Sequence, residues 1–148
     1  MKRPDPQPGL VIRYDYLWHR ESSHGQIEGK KFRPCAIVVA RKTADNGDVV
    51  LVAPITHSPP MIPQNAIEIP QLVKQHLGLD SQRSWIVTSE INAVSWTDPG
   101  IVPATKEKWA YGFLPRGMVA ALTENLLERF RKRKVVMVDR GGVPKMKS

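Results

Sequence analysis

Two strongly apolar runs separated by a turn signal constrain the fold of this chain more than any other feature. The first run is CAIVVARK at 35–42, and the second is DVVLVAPI at 48–55. Asn46-Gly47 lies between them and is typical of a tight β-hairpin turn. Neither run alternates cleanly between apolar and polar residues, which indicates strands buried on both faces. The sequence therefore predicts an antiparallel hairpin inside the hydrophobic core.

Short strands and two helices are predicted around this hairpin. Apolar alternation or β-branched and aromatic residues predict strands at 9–18, 66–69 and 83–96, and a last strand or a helix extension at 135–139. The polar segments 19–32 and 97–112 are predicted to be mostly loops. Residues 70–78 predict a short helix, and apolar residues at 118, 122, 126 and 130 predict an amphipathic C-terminal helix. We expect an α+β fold, mainly β, in which this helix packs on a small β-barrel.

The composition limits the classes of protein to which the chain can belong. Its 148 residues fit one domain with a single core. No apolar run approaches the roughly 18 residues of a membrane-spanning helix, and the N-terminus lacks the apolar stretch of a secretory signal. Cys35 is the single cysteine, which excludes an internal disulfide and fits a reducing cytoplasm. We expect a cytoplasmic protein with one domain at 9–140, flanked by flexible segments at 1–8 and 141–148.

The positive charge is concentrated at the C-terminal end. The net charge is +8, and residues 129–148 hold eight of the 22 basic residues but only one of the 14 acidic ones. Five of these cations lie within 129–134. Such a cluster can bind phosphate backbones, or it can stabilise the C-terminus of a helix through the helix dipole. The sequence leaves both interpretations open.

Common signatures of metal and nucleotide sites are missing from the sequence. There is no phosphate-binding glycine loop, no nucleophile elbow, and no pair of cysteines or histidines at metal-ligand spacing. We therefore expect an activity that needs neither a metal ion nor a nucleotide cofactor. Polar side chains at predicted strand ends and in the loops beside them remain as candidates; they are His19, Glu21, His24, Glu28, Arg33, Thr56, His57, Ser58, Ser89 and Glu90.

The order of five short motifs resembles the MazF/PemK toxins, also called Kid, of type II toxin–antitoxin systems. The motifs are Gly9-Leu10-Val11, Arg33-Pro34 before the first apolar run, Pro54-Ile55-Thr56 at the end of the second, Ser89-Glu90-Ile91-Asn92-Ala93-Val94, and Gly112-Phe113-Leu114 before the C-terminal helix. The resemblance implies an SH3-like barrel of the MazF/PemK/CcdB type that forms a homodimer and cleaves single-stranded RNA, including mRNA, without a metal ion. It also implies a cognate antitoxin protein that covers the RNA groove, and active-site roles for Arg33 and Thr56.

The chemistry of RNA cleavage suits these two side chains. Attack of the ribose 2′-hydroxyl on the adjacent phosphate builds negative charge on a pentacovalent phosphorane. The guanidinium of Arg33 offers a fixed fork of donors for two phosphate oxygens. The hydroxyl of Thr56 can donate to a non-bridging oxygen as an oxyanion-hole donor does. For substrate binding we assign Trp18, which can stack on a base, together with Lys31, Ser58 and Ser89.

The general base is left open by the sequence. Many MazF/PemK toxins have an aspartate at the position that corresponds to Ser89 and a basic residue at the position that corresponds to Asn92. Here the acid is Glu90, one residue later, and a shift of one normally turns a strand side chain to the opposite face. Either a bulge restores Glu90 to the site, or the base is His24 or His57.

Two other classes of function fit the same sequence. The departures at Ser89 and Asn92 are compatible with a non-catalytic barrel that inhibits a protein target, as gyrase-directed toxins do. The basic cluster at 129–134 is compatible with a plain RNA-binding module. Fold alone does not separate these functions, because function depends on the site.

Overall fold

A computed structural model describes residues 1–29, 31–43 and 47–140. Within these residues nine strands form one mainly antiparallel sheet, and three α-helices accompany it. The strands are β1 Leu10–Tyr14, β2 Arg33–Thr43, β3 Gly47–Thr56, β4 Ala66–Glu68, β5 Trp85–Val87, β6 Glu90–Ser95, β7 Ile101–Val102, β8 Gly112–Phe113 and β9 Val136–Asp139. The helices are α1 His19–Ser23, α2 Gln71–His76 and α3 Arg116–Arg131, and a 3₁₀ turn covers Pro63–Asn65. The predicted α+β, mainly β class is confirmed.

The long hairpin of β2 and β3 forms the centre of the sheet. Its antiparallel register runs from Cys35 opposite Pro54 to Thr43 opposite Gly47, with one irregularity between Ile37 and Val39. The predicted turn residue Asn46 lies outside the described residues. One face of the hairpin joins a core that includes Tyr14 and Trp96, and the other joins a core that includes leucines of α3. The prediction that these strands are buried on both faces is confirmed for residues 35–38 of β2 and for residues 50 and 52–55 of β3, whereas Val39, near the middle of β2, is 43% exposed.

The remaining strands extend this hairpin on both sides. The main path through the sheet is β4-β5-β3-β2-β1-β7, and β8 also pairs with β1. β3 has two partners on its outer side, because its residues 49–52 pair with β6 whereas Ile55 and Thr56 pair with β5. β9, Val136–Asp139, pairs in parallel with β6, so most of the segment 135–139 is a strand rather than a helix extension.

Two helices differ from the sequence prediction. α1 forms inside the segment 19–32 that was predicted as a loop. Leu122 and Leu126 of α3 are buried against the sheet, but Phe130 is 41% exposed, so the packed face of α3 is shorter than predicted. No helix in the described part of the chain is long and apolar enough to cross a membrane.

Two other segments make more contacts than the sequence indicated. Residues 97–112 contain β7 and the first residue of β8, both paired with β1. In the N-terminal segment, the guanidinium of Arg3 lies 4.6 Å from the ring centroid of Trp109, and Trp96 donates a hydrogen bond to the carbonyl of Pro4 at 2.9 Å. The described residues 1–8 are therefore attached to the domain at Arg3 and Pro4, and residues 141–148 lie outside the description.

A fully buried asparagine fixes the segment that follows β1. Asn92 of β6 accepts a hydrogen bond from the Leu17 amide at 2.9 Å and donates one to the Leu17 carbonyl at 2.8 Å. Arg140, at the end of β9, donates to the same Asn92 oxygen at 3.3 Å and to the Tyr14 hydroxyl at 2.7 Å. The Asn92 side chain thus makes the pair of backbone hydrogen bonds that a neighbouring strand would make with Leu17, and it sets the position of Trp18 and α1.

We expect Asn92→Ala to lower the free energy of unfolding by about 1–3 kcal/mol, because the buried amide and carbonyl of Leu17 lose their partner. Urea denaturation followed by tryptophan fluorescence measures the change. Ser95→Ala on the same strand is the control, and a change within about 0.5 kcal/mol is expected for it. Equal stability of the two variants would contradict the structural role of Asn92.

Candidate active site

The two side chains predicted to act on a phosphate lie on neighbouring strands and line the same pocket. Cys35 pairs with Pro54, and this register continued by two residues sets Arg33 opposite Thr56. Both residues line a pocket of about 280 Å³ at this end of the hairpin. Lys31, His57 and Ser58 line it as well. The hairpin therefore brings together residues that are more than twenty positions apart in the sequence.

The Thr56 hydroxyl is oriented by the turn that follows β3. Its oxygen accepts a hydrogen bond from the backbone amide of Ser58 at 3.1 Å. A hydroxyl has one donor and two acceptor positions, so this bond leaves the Thr56 proton free to be donated into the pocket. The local turn contact and a role toward a bound oxygen are therefore compatible.

The Arg33 guanidinium is held beside an aromatic ring. Its central carbon lies 5.0 Å from the centroid of the Trp18 ring, and the guanidinium carbon of Arg20 lies 5.2 Å from the same ring. Tyr16 meets Trp18 edge-on at 5.2 Å between centroids. The Nε of Arg33 is shielded from solvent and has no hydrogen-bond partner among the residues that the structure describes. Trp18 thus acts on the pocket through Arg33, and cation–π attraction favours this placement of the guanidinium.

His57 is the predicted base candidate that lies in the pocket, and its ring is fixed by a carboxylate. The Nε2 of His57 lies 2.8 Å from the Oδ2 of Asp80. The Oδ1 of Asp80 accepts a hydrogen bond from the Lys74 ammonium at 2.7 Å, and Lys74 also donates to the carbonyl of Gln82. Lys74 is only 1% exposed, whereas the side chains of His57 and Asp80 are about half exposed, at 51% and 54%. A buried cation therefore anchors a carboxylate that in turn orients an accessible imidazole.

The charge on Asp80 determines which nitrogen of His57 can act. Hydrogen bonding from Lys74 lowers the pKa of the Asp80 carboxyl below its ordinary value of 3.8, and the nearby His57 adds to this effect. An ionised carboxylate only accepts hydrogen bonds, so Nε2 of His57 carries the proton that it donates to Asp80. When the ring is neutral, Nδ1 is left as the proton acceptor. A carboxylate that orients an imidazole is the contact that a general base shares with its supporting group.

The other predicted site residues lie elsewhere. Ser89, Glu90 and His24 are not among the residues that line this pocket. The carboxylate of Glu90 accepts hydrogen bonds from the Tyr16 hydroxyl at 3.0 Å and from the His19 amide at 2.9 Å, which places it at the start of α1. His24 is exposed, and its Nδ1 lies 2.5 Å from the Arg20 carbonyl. Of the three base candidates, the geometry favours His57.

Sequence reasoning missed Lys74 and Asp80. Lys74 lies on α2 among apolar neighbours, and Asp80 follows this helix in a short polar segment, so neither matches a local motif. The one available signal was Lys74 itself, because it lies next to Val73 and three positions before Leu77 on the side of the helix expected to be buried. A lysine at such a position needs a partner, and a nearby carboxylate is the usual one.

Comparison of the chain with known protein-family models gives no match, and comparison with curated protein sequences gives none either. No group of three or more histidine, cysteine, aspartate or glutamate side chains in the described ranges is placed to hold a metal ion. Function is therefore inferred from the side chains of the pocket and from the motifs that line it.

We expect Asp80→Asn to lower the free energy of unfolding at pH 7 by about 1–3 kcal/mol, because buried Lys74 loses its carboxylate partner. The folded-state pKa of Asp80 is depressed, so its stabilising effect is present above about pH 3.8 and is lost as the pH falls through the folded pKa. Urea denaturation at several pH values between 7 and 2 measures the difference from the wild type, which should shrink below pH 3.8.

The double variant Lys74→Met/Asp80→Asn is the matched control for this measurement. Replacement of both partners removes the unpaired buried charge, so the double variant should be more stable than Asp80→Asn alone. A difference between wild type and Asp80→Asn that stayed constant down to pH 2 would contradict a stabilising role for the Asp80 charge.

Proposed function

We propose that this protein is a metal-independent endoribonuclease of the type II toxin class that cleaves single-stranded RNA. The observation that carries the proposal is that Arg33, Thr56 and the Asp80-oriented His57 line one pocket. The resemblance of the motifs around Arg33 and Thr56 to the MazF/PemK toxins supports the same reaction.

Each side chain has a distinct part in the proposed reaction. The Nδ1 of His57 takes the proton of the ribose 2′-hydroxyl, and the 2′-oxygen forms a bond to the adjacent phosphorus. Arg33 and Thr56 donate to the non-bridging oxygens as negative charge develops on the phosphorane. The bond from phosphorus to the 5′-oxygen breaks and leaves a 2′,3′-cyclic phosphate. The leaving 5′-oxygen takes a proton from water or from Lys31, a residue that lines the same pocket.

The remaining expectations from the resemblance are part of the same proposal. We propose that the sheet is an SH3-like barrel, which is supported by the change of partner along β3 from β6 to β5. We further propose a cytoplasmic homodimer whose RNA groove is covered by a cognate antitoxin. Lys31 and Ser58 line the pocket and are proposed to bind substrate. Trp18 does not line the pocket, and its proposed part is to hold the Arg33 guanidinium against its ring.

Purified protein should cleave a long single-stranded RNA in the presence of a chelator, and Arg33→Ala and Thr56→Val should each be impaired. Loss of one hydrogen-bond donor to the developing charge costs roughly 10²- to 10³-fold in rate. Arg83→Ala is the matched control for Arg33→Ala, because Arg83 is exposed, pairs with Glu68 and does not line the pocket. Cleavage at wild-type rate by Arg33→Ala, or no cleavage by a large excess of wild type, would refute the proposal.

We expect His57→Ala to lower kcat by about 10²- to 10⁴-fold, because a general base typically contributes that factor. His76→Ala, on an exposed histidine of α2, should retain wild-type kcat. Single-turnover cleavage of a labelled RNA measures both. Unchanged cleavage by His57→Ala together with loss of activity in Glu90→Gln would shift the assignment of the base to Glu90.

We expect the folded double variant Lys74→Met/Asp80→Asn to lower kcat while KM stays near the wild-type value, because Asp80 acts through the orientation of His57 and not on the substrate. Combined with His57→Ala, the same double substitution should cause little further loss of kcat. Additive losses would mean that Asp80 acts independently of His57.

A further inference from the structure

A second pocket lies where the C-terminal end of α3 faces the loop that follows β3. Its volume is about 560 Å³. Arg129, Lys132 and Lys134 line one side, and Ile62 and Gln64 of the loop line the other. The three cations belong to the basic cluster whose role the sequence left open.

These cations are not needed to end the helix. The backbone itself closes α3, because the amides of Lys132, Arg133 and Lys134 donate to the carbonyls of Glu128, Phe130 and Arg129 at 3.2, 3.0 and 2.8 Å. Arg133 adopts the left-handed conformation with φ of 55°, which is typical of this kind of helix end. The helix end therefore does not use the side-chain donors of the three cations in the pocket, of which Lys132 pairs with Glu128.

Polar atoms in this pocket also lack partners. The Nε of Arg129 and the Oδ1 of Asn125 are both shielded from solvent and have no hydrogen-bond partner among the residues that the structure describes. The amide nitrogen of Asn125 donates to the Gln64 carbonyl at 3.3 Å, which ties the helix to the loop. Both atoms are closed to solvent, so a ligand in the pocket meets the other donors of the three cations rather than these two atoms.

The charge of the pocket is positive even though one carboxylate lies in it. Glu128 is the acidic lining residue, and its carboxylate lies 3.2 Å from the ammonium of Lys132 and 3.7 Å from the guanidinium of Arg131. Three cations against one partly neutralised carboxylate favour an anionic ligand. Ile62 is 54% exposed and gives the pocket an apolar wall against which a base can pack.

One loop connects this pocket with the candidate active site. Ser58 lines the first pocket and Ile62 lines the second, four residues further along the chain. Four residues span at most about 14 Å even when fully extended. The two cationic pockets are therefore close enough to bind one strand.

We propose that this second pocket binds the phosphodiester backbone of single-stranded RNA a few nucleotides away from the scissile bond. The proposal rests on the proposed function, since it takes the strand in the first pocket to be RNA. Arg129, Lys132 and Lys134 bind phosphates, and Ile62 packs against a base. The pocket extends the segment of RNA that the protein binds, and it does not contribute to the chemical step.

The test compares Arg129→Ser/Lys132→Ser with the matched control Arg116→Ser/Arg131→Ser, which removes two cations from the same helix outside the pocket. Binding of a 2′-O-methyl RNA of about twelve nucleotides, which cannot be cleaved, is measured by fluorescence anisotropy at several salt concentrations. Loss of two phosphate contacts should make the slope of log K against log salt shallower by about 1.4 in the pocket variant. The control should keep most of the wild-type slope.

Cleavage of unmodified RNAs separates this pocket from the active site. At about 0.1 M salt the pocket variant should lose roughly tenfold in kcat/KM on the twelve-nucleotide RNA, but not on a trinucleotide that reaches only the first pocket. Equal salt slopes for the pocket and control variants would overturn the proposal. It would also be overturned if wild type bound duplex DNA more tightly than single-stranded RNA and the pocket variant lost this binding of DNA. If wild type bound RNA with the expected slopes but cleaved nothing, the proposed function would fail while the RNA pocket stood.

Discussion

The pairing of β2 with β3 is the constraint on which the rest of this structure depends. Both strands contribute residues to both cores, so any slip of their register would move apolar residues from one core to the other and disturb both. The same register decides which residues meet where the hairpin ends. At that end β2 begins with Arg33 and β3 ends with Thr56. The stability of the core and the geometry of the candidate site therefore depend on one set of backbone hydrogen bonds.

Buried polar groups position the segments that the hairpin does not reach. Asn92 fixes Leu17 and with it Trp18, against which the Arg33 guanidinium lies. Lys74 fixes Asp80, and Asp80 orients His57. Burial of the Asn92 amide or of the Lys74 ammonium costs free energy unless the group is fully paired. An alternative placement of Leu17 or Asp80 would leave a donor or a charge unpaired, so this cost makes the observed arrangement specific. Rigid support from such groups is what a precise site requires.

Much of the fold follows from local patterns, and parts of the site follow from local chemistry. Apolar runs and a turn signal predicted the hairpin, and apolar periodicity predicted α3. Residue types at strand ends gave a longer list of candidates, in which the motif resemblance marked Arg33 and Thr56 and His57 was one of three choices for the base. Phe130 continues the four-residue spacing of α3 and yet is exposed, because periodicity does not specify where the underlying sheet ends. Glu90 stands in a motif beside Ser89, but in the structure its carboxylate binds Tyr16 and the start of α1.

The sequence by itself determined the mainly β class, the central hairpin and the concentration of positive charge near the end of the chain, because these depend on neighbouring residues and on periodicity. Only the tertiary structure decided that Asp80 meets His57 from 23 positions away and that Arg140, beyond the basic cluster at 129–134, binds Tyr14 inside the fold. Such contacts depend on how loops and sheet edges close in space. Their energies come from desolvation and pairing, which no local stretch of sequence encodes.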